Sequence, residues 1–366
     1  MRRRRRERVV VITGASAGVG RATARAFARQ GARIALLARG AAGLEGARRE
    51  VEALGGTALV VPADVADPDQ VEAAADRAER ELGPIDVWVN NAMNSVFSPV
   101  REMTPEDYRR VTEVTYLGYV YCTLSALRRM LPRDRGKIIF VGSALAYRGI
   151  PLQSAYCAAK HAVQGFFDSL RTELMHDGSK VQVTMVQLPA LNTPQFRWVK
   201  SRLPNKAQPV PPILQPEVAA DAILFAADHD RRELWVGWPT VKAIAGNRIV
   251  PWYADLRLAR EGVQAQQLDE PEDPDRPHNL WEPVDDEVDF GAHGDFDVRS
   301  RPSTSQLWLA KHRPALSVAG AAIAAAAAVL TGLATRNGRS GEPEADSAEA
   351  FDAQLAWLEE RHPMPD

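Results

Sequence analysis

The 366-residue sequence predicts an α/β protein, a doubly wound parallel sheet of seven strands with helices on both faces. Three observations predict it. From Arg8 to about Pro239, short β-branched runs alternate with longer Ala-, Leu-, Arg- and Glu-rich segments of helical period. The runs are continuously apolar rather than alternating, which suits strands covered on both faces. The first run also passes directly into a glycine cluster that opens a helix.

Each element follows in order. The first strand, "VVVIT", runs into "TGASAGVGRATARAFARQGA", in which Gly14, Gly18 and Gly20 occupy a strand-to-helix turn. Without a β-carbon, these glycines permit a sharp turn, let a pyrophosphate approach the backbone, and bring helix and sheet together. The following helix offers N–H groups and a positive dipole end to phosphate. The second strand, "RIALLA", ends at Ala38 with Arg39 beyond it. "TALVVP" leads to "ADV" (Asp64, Val65), and "IDVWVN" leads to "NNA" (Asn90, Asn91, Ala92). "KIIFVG" runs to Ser143, and the helical stretch "SAYCAAKHAV" then places Tyr156 and Lys160 four residues apart on one face. "VQVTMVQL" and "ELWVGW" complete the sheet.

The spacing T-G-x-x-x-G-x-G, with Asp64, "NNA", Ser143, Tyr156 and Lys160 in register behind it, resembles the short-chain dehydrogenase/reductase superfamily over roughly residues 8 to 250. The resemblance implies a Rossmann-like fold, an NAD(P)-dependent oxidoreductase acting on an alcohol/carbonyl pair, and a homodimer or homotetramer. It implies Tyr156 as general acid/base and Lys160 as the residue that lowers the phenol's pKa and holds the nicotinamide ribose. It gives Ser143 the substrate oxygen. Gly14, Ser16, Gly18, Val19, Gly20, Arg39, Asp64, Val65, Asn91, Ala92 and Thr193 would line the cofactor, with Thr193 reaching the carboxamide.

A free phenol, with a pKa near 10, is a poor base at neutral pH, and a neighbouring ammonium favours its ionised form. At the second strand's end, Ala38 stands where an acid would bind the ribose 2′-hydroxyl of NAD. Arg39 can grip a 2′-phosphate there and Ser16 can add a bond, so NADP is expected over NAD. Two departures stand out. Thr115 of "VTYLG" replaces a family asparagine that supports a water chain to the lysine, so a modified relay is expected. Leu188-Pro189 replaces the usual Pro-Gly turn. The Thr115 change is the best support for a rival reading, a catalytically silent cofactor-binding scaffold or sensor tethered to a membrane. A scaffold has no need of Ser143, Tyr156 and Lys160 together.

The segment 192 to 216 is expected to enclose the substrate. Phe196 and Trp198 would form an apolar floor beneath basic Arg197, Lys200, Arg202 and Lys206, suiting a lipophilic ketone or alcohol with an acidic or acyl tail.

Composition bounds the rest. A net charge of −2 argues against a general nucleic-acid binder, and 45% hydrophobic residues can fill a large core. Two cysteines, Cys122 and Cys157, fit a reducing compartment with no disulfide framework. Histidines occur singly, so no metal site is expected. "VVVITGA" is too short for a secretory signal, and the protein is expected to be cytoplasmic.

The domain reading is a basic tail (1–7), an NADP-binding catalytic domain (8–264), an acidic Pro/Gly-rich linker or docking segment (265–310), an uncharged helix with its flanks (311–336) and a tail (337–366). Ala315–Ala334 has the length of a bilayer span but draws its hydrophobicity mostly from alanine. It is read as a single C-terminal membrane anchor, with an Ala-rich packing helix as the alternative.

Overall fold

In the computed structural model, residues 7–312 are described. The seven expected strands form one sheet: β1 Val9–Thr13, β2 Arg33–Ala38, β3 Thr57–Pro62, β4 Val87–Asn90, β5 Lys137–Ser143, β6 Gln182–Leu188 and β7 Glu233–Trp235. Their spatial order is β7-β6-β5-β4-β1-β2-β3, with every pairing parallel. Strand order reverses between β1 and β4, and the crevice at such a switch point is where doubly wound sheets bind ligands.

Alternation along the strands divides two cores. Val10, Ile12, Ile34 and Leu36 face helices α1 (Gly18–Ala28), α2 (Ala41–Ala53) and α7 (Pro216–Asp228), packing with Phe27, Leu44 and Ile223. Val9, Val11, Ala35 and Leu37 face the other way, toward α3 (Pro68–Leu82), α5 (Gly118–Met130) and α6 (Ser154–His176), packing with Trp88, Phe140 and Phe167. Because both faces are covered, the strands are apolar at most positions on either side. Between α3 and α5 lies α4 (Pro105–Thr112), which starts with a capping box in which Thr104 and Asp107 exchange side-chain-to-backbone bonds. Asp67 caps α3 by accepting from the N–H groups of Asp69 and Gln70.

After β7 come α8 (Gly237–Ile249) and α9 (Pro251–Glu261). Residues 265–311 then run back across the domain as a strap. Gln267–Pro271 pairs antiparallel with Asn205–Ala207, and Ser300–Arg301 pairs parallel with Ile213–Leu214. Leu280 is wholly buried against Val96, Val111, Ala155 and Ala159, so the strap reaches the helix that carries Tyr156. Among the described residues no helix is long and apolar enough to cross a membrane. The Ala315–Ala334 segment, the arginines of the N-terminal tail and the C-terminal tail lie outside the described residues.

Candidate active site

The glycine loop has the geometry its sequence requires. Gly14 and Gly18 adopt φ of +64° and +54°, a region costly for other residues. A β-carbon on Gly20 would lie 2.0 Å from the Gly14 carbonyl oxygen, so only glycine lets α1 start this close to the strand end. Thr13 Oγ1 accepts from the N–H groups of Asn91 (2.9 Å) and Ala92 (3.0 Å), and Asn91 Nδ2 donates to the Thr13 carbonyl (2.9 Å). The "NNA" turn is thereby locked to the glycine loop. No side chain caps the start of α1 and its first turn carries no acid, an arrangement suited to receiving phosphate. Val19, in that first turn, lines the groove.

At the other end, β5 delivers Ser143 and α6 delivers Tyr156 and Lys160. Ser143 Oγ accepts from the Leu145 N–H (3.1 Å). Lys160, 2% exposed, donates from Nζ to the Val141 carbonyl (2.8 Å) and to the Tyr119 hydroxyl (3.0 Å). Its ammonium lies 5.7 Å from the centre of the Tyr156 ring. Burial pushes the Lys160 pKa down to about 7. Burial likewise pushes the Tyr156 phenol above its ordinary value, against a hydrogen bond from Ser143 that lowers it. The expected depression of the phenol by the lysine is therefore not the state of these residues by themselves. Desolvation dominates, and the ammonium is taken up by Tyr119 and Val141.

Thr115 sits in a π-helical turn, Glu113–Leu117, where its hydroxyl donates to the Asn94 carbonyl (2.9 Å) and accepts from the Asn94 N–H (3.1 Å). It makes no hydrogen bond to Lys160. The residue that does is Tyr119, one turn further along, whose hydroxyl also donates to the Val141 carbonyl (2.9 Å). Sequence reasoning missed Tyr119. The available signal was its place four residues after Thr115. Thr193 lines the groove next to the glycine loop: a β-carbon on Gly18 would lie 3.2 Å from Thr193 Cβ.

The adenosine end is built largely from the strap. Arg39 is half-buried and donates to the carbonyls of Asn279 and Trp281, and burial lowers its pKa. Asp64 accepts from the Ala66 N–H (3.0 Å) and from Arg110, while Val65 packs against Gly118. Arg110 also donates to the Leu280 carbonyl (3.0 Å). The N–H groups of Ala41, Ala42 and Gly43, at the start of α2, donate to Asp286 Oδ1, the Asp286 carbonyl and the Asp285 carbonyl. Asp289 pairs with buried Arg21 (3.1 Å), and the Gly291 carbonyl accepts from the Gly18 N–H (3.2 Å). None of these partnerships was readable in the sequence beyond the acidic character of the segment.

One cavity of about 1250 Å³ joins the two ends. It is lined by Gly14, Ser16, Arg39 and Asn91 toward the loop, and by Ser143, Tyr156 and Lys160 further in. The glycine cradle, a helix start without a side-chain cap and the buried lysine fit a nicotinamide dinucleotide. Beyond Tyr156 the lining is apolar and aromatic, including Phe97, Phe196, Trp198 and Trp238. The expected basic roof is corrected. Arg197 pairs with Asp295, Lys200 and Arg202 with Asp107, and Lys206 with Glu270, so each cation already has an acid within the fold.

A protein-family model described as short chain dehydrogenase matches residues 8–203. The uncharacterized oxidoreductase YxnA of Bacillus subtilis (strain 168) is 34% identical over 280 residues, covering 76% of this chain and 78% of its own. A fatty acyl-CoA reductase of Acinetobacter baylyi is 31% identical over 221 residues, covering 60% of this chain and 72% of its own. Among solved structures, a metagenomic short-chain oxidoreductase in complex with NADP superposes with a TM-score of 0.53 at 27% identity, covering 63% of this chain and 96% of that one.

Proposed function

The chain belongs to the short chain dehydrogenase family of NAD(P)-dependent oxidoreductases, and from that premise we propose that it reduces the carbonyl of a lipophilic aldehyde or ketone to the alcohol, with Tyr156 donating the proton. The observation that carries this reading is the arrangement of Ser143, Tyr156 and Lys160 where the dinucleotide groove opens into an apolar cavity. The reduced nicotinamide, when bound, supplies the hydride to the carbonyl carbon. The Ser143 hydroxyl donates a hydrogen bond to the substrate oxygen and holds it against charge build-up. Tyr156 gives that oxygen its proton and becomes phenolate, which is then reprotonated from solvent. Lys160, when charged, stabilises the phenolate.

NADP(H) is the proposed cofactor, supported by Arg39 beyond Ala38 and by the NADP complex of the solved relative. A lipophilic substrate is supported by the aromatic lining and by the relative named for fatty acyl-CoA. A membrane anchor at Ala315–Ala334 and a homodimer or homotetramer belong to the same proposal, on sequence and family resemblance. The test is a series of aldehydes and ketones of increasing chain length, assayed with NADPH on the parent and on Tyr156→Phe. Turnover that rises with chain length and vanishes in the variant is expected. Undiminished turnover in Tyr156→Phe overturns the mechanism, and tight NADPH binding with no turnover of any substrate favours a scaffold.

A further inference from the structure

Arg39 and two acids face the adenosine end of the cavity, Asp64, which is already paired with Arg110, and Asp285. Arg39 comes from the end of β2, and Asp285 comes from the strap. Asp285 is 9% exposed, and its main-chain carbonyl accepts from the Gly43 N–H (3.0 Å), which fixes its position. No hydrogen bond or ion pair from the described residues reaches its carboxylate, which lines the cavity with Ser16 and Arg39. A β-carbon built on Gly40 would meet Asp285 Oδ1 at 2.0 Å. One built on Gly43 would meet Oδ2 at 2.6 Å and Ser16 Cβ at 2.8 Å. The carboxylate therefore lies between the first turn of α2 and Ser16, beside the groups that would grip a 2′-phosphate. The residue is nine-tenths buried while its carboxylate opens on the cavity without a protein donor, so it is free to accept from a ligand bound there.

We infer that Asp285 is a specificity-determining residue for the cofactor: its carboxylate accepts a hydrogen bond from the free ribose 2′-hydroxyl of NAD(H) and opposes the 2′-phosphate that Arg39 attracts. An acid beside this hydroxyl ordinarily stands at the end of the second strand. Here that position is Ala38, and the acid arrives from the strap instead. A carboxylate and a phosphate held side by side in a partly desolvated site repel strongly. Discrimination between the two dinucleotides is then a balance of Arg39 against Asp285, and the docked strap keeps NAD(H) usable. The inference rests on the dinucleotide reading of the groove.

The experiment is calorimetric titration of the full chain with 2′,5′-ADP and with 5′-AMP, which carry the adenosine end without nicotinamide. Asp285→Asn should tighten 2′,5′-ADP at least tenfold and weaken 5′-AMP severalfold. Because the carboxylate makes no bond within the protein, the substitution removes none, and Asp285→Ser serves as the second variant if folding suffers. Arg39→Ser should weaken 2′,5′-ADP alone, which tests the preference for NADP separately. If the ratio of the two affinities stays within twofold of the parent in both Asp285 variants, with melting temperatures unchanged, the inference is overturned while the enzymatic reading stands. If neither NADPH nor NADH binds the parent, the dinucleotide reading falls and takes the inference with it.

Discussion

The two ends of the groove are made differently. At the nicotinamide end, Ser143, Tyr156 and Lys160 come from one strand and the next long helix, and the buried lysine is held by Tyr119 and Val141. At the adenosine end, Arg39, Gly43 and Gly18 are held by Asn279, Trp281, Asp285 and Gly291, all on a strap that follows the last sheet helix. The first end depends on short-range spacing in a rigid core, where desolvation sets the proton affinities. The second depends on docking a segment that has little regular structure and is held through both its main chain and its acidic side chains. The two ends are thus expected to differ in stability, because a segment with little regular structure opens at lower cost than a core helix.

The sharpest way to break the comparison is to remove chemistry at one end and docking at the other. Tyr156→Phe takes away the proposed proton donor and leaves the strap untouched. We expect kcat to fall by about 10³-fold, within the range for loss of general acid catalysis, with NADPH fluorescence titration unchanged within a few-fold. Loss of binding in parallel with turnover would sink the assignment. Leu280→Ala empties the one strap position that is wholly buried against α6. The cost is about 3 kcal/mol, typical of a leucine deleted from a core. It should appear as faster hydrogen exchange of residues 279–297 with the sheet amides unaffected. Uniformly faster exchange across the sheet would show that strap and core unfold together.

What could be read in the sequence follows the same division. Gly14, Gly18 and Gly20 were legible because a strand, a turn and a helix lie within a dozen residues, and the turn's φ values leave few alternatives. Helical periodicity put Tyr156 and Lys160 on one face, but only the motifs in register with the short-chain dehydrogenase family marked them as site residues. The proton affinity of Tyr156 without cofactor was not legible, since burial, a property of the whole packed domain, raises it. Tyr119 was hidden because its partner lies on another helix. The strap showed only an acidic composition with scattered Trp281, Phe290 and Phe296. Composition predicts docking in general, but which acid meets which N–H is fixed by three-dimensional proximity across most of the chain. The basic residues of the substrate segment misled for the same reason, as Asp107 and Asp295 neutralise them from elsewhere.

A smaller effect sharpens the nicotinamide end. Lys160 titrates near 7 in the folded protein, far below its value in an unfolded chain. Between those two values the unfolded state holds the extra proton, so unfolding free energy rises with pH, by at most about 1.4 kcal/mol per unit for one group. Lys137, lowered to about 8, adds to the rise above that pH. Stability measured by urea denaturation of the cofactor-free protein should increase from pH 7 to pH 9. Lys160→Met should flatten the first part of that rise. An unchanged slope in the variant would mean that the lysine is not the group that titrates.

The smallest effect belongs to the strap and has the opposite sign. His293 bonds Asp297 on the strap (2.8 Å) and Glu217 on α7 (3.0 Å), and Glu217 also faces Arg25 (3.6 Å). Burial lowers its pKa, but the two carboxylates outweigh burial and leave it above the ordinary value. A group bound more tightly to its proton in the folded state stabilises docking fully below its unfolded pKa, and that contribution is lost as pH rises through the folded value. The pair is more than one-third exposed, so solvent screening holds the contribution below about 1 kcal/mol. From pH 6 to pH 8.5, exchange of strap amides, corrected for the intrinsic pH dependence, should accelerate up to about fivefold. The same amides in His293→Asn should show no such change. Because Lys160 stabilises the core over part of the same interval, one pH series separates the two ends, with the strap loosening as the sheet tightens. Parallel movement of both in the same direction would mean that they share one opening unit, and the comparison between them would fail.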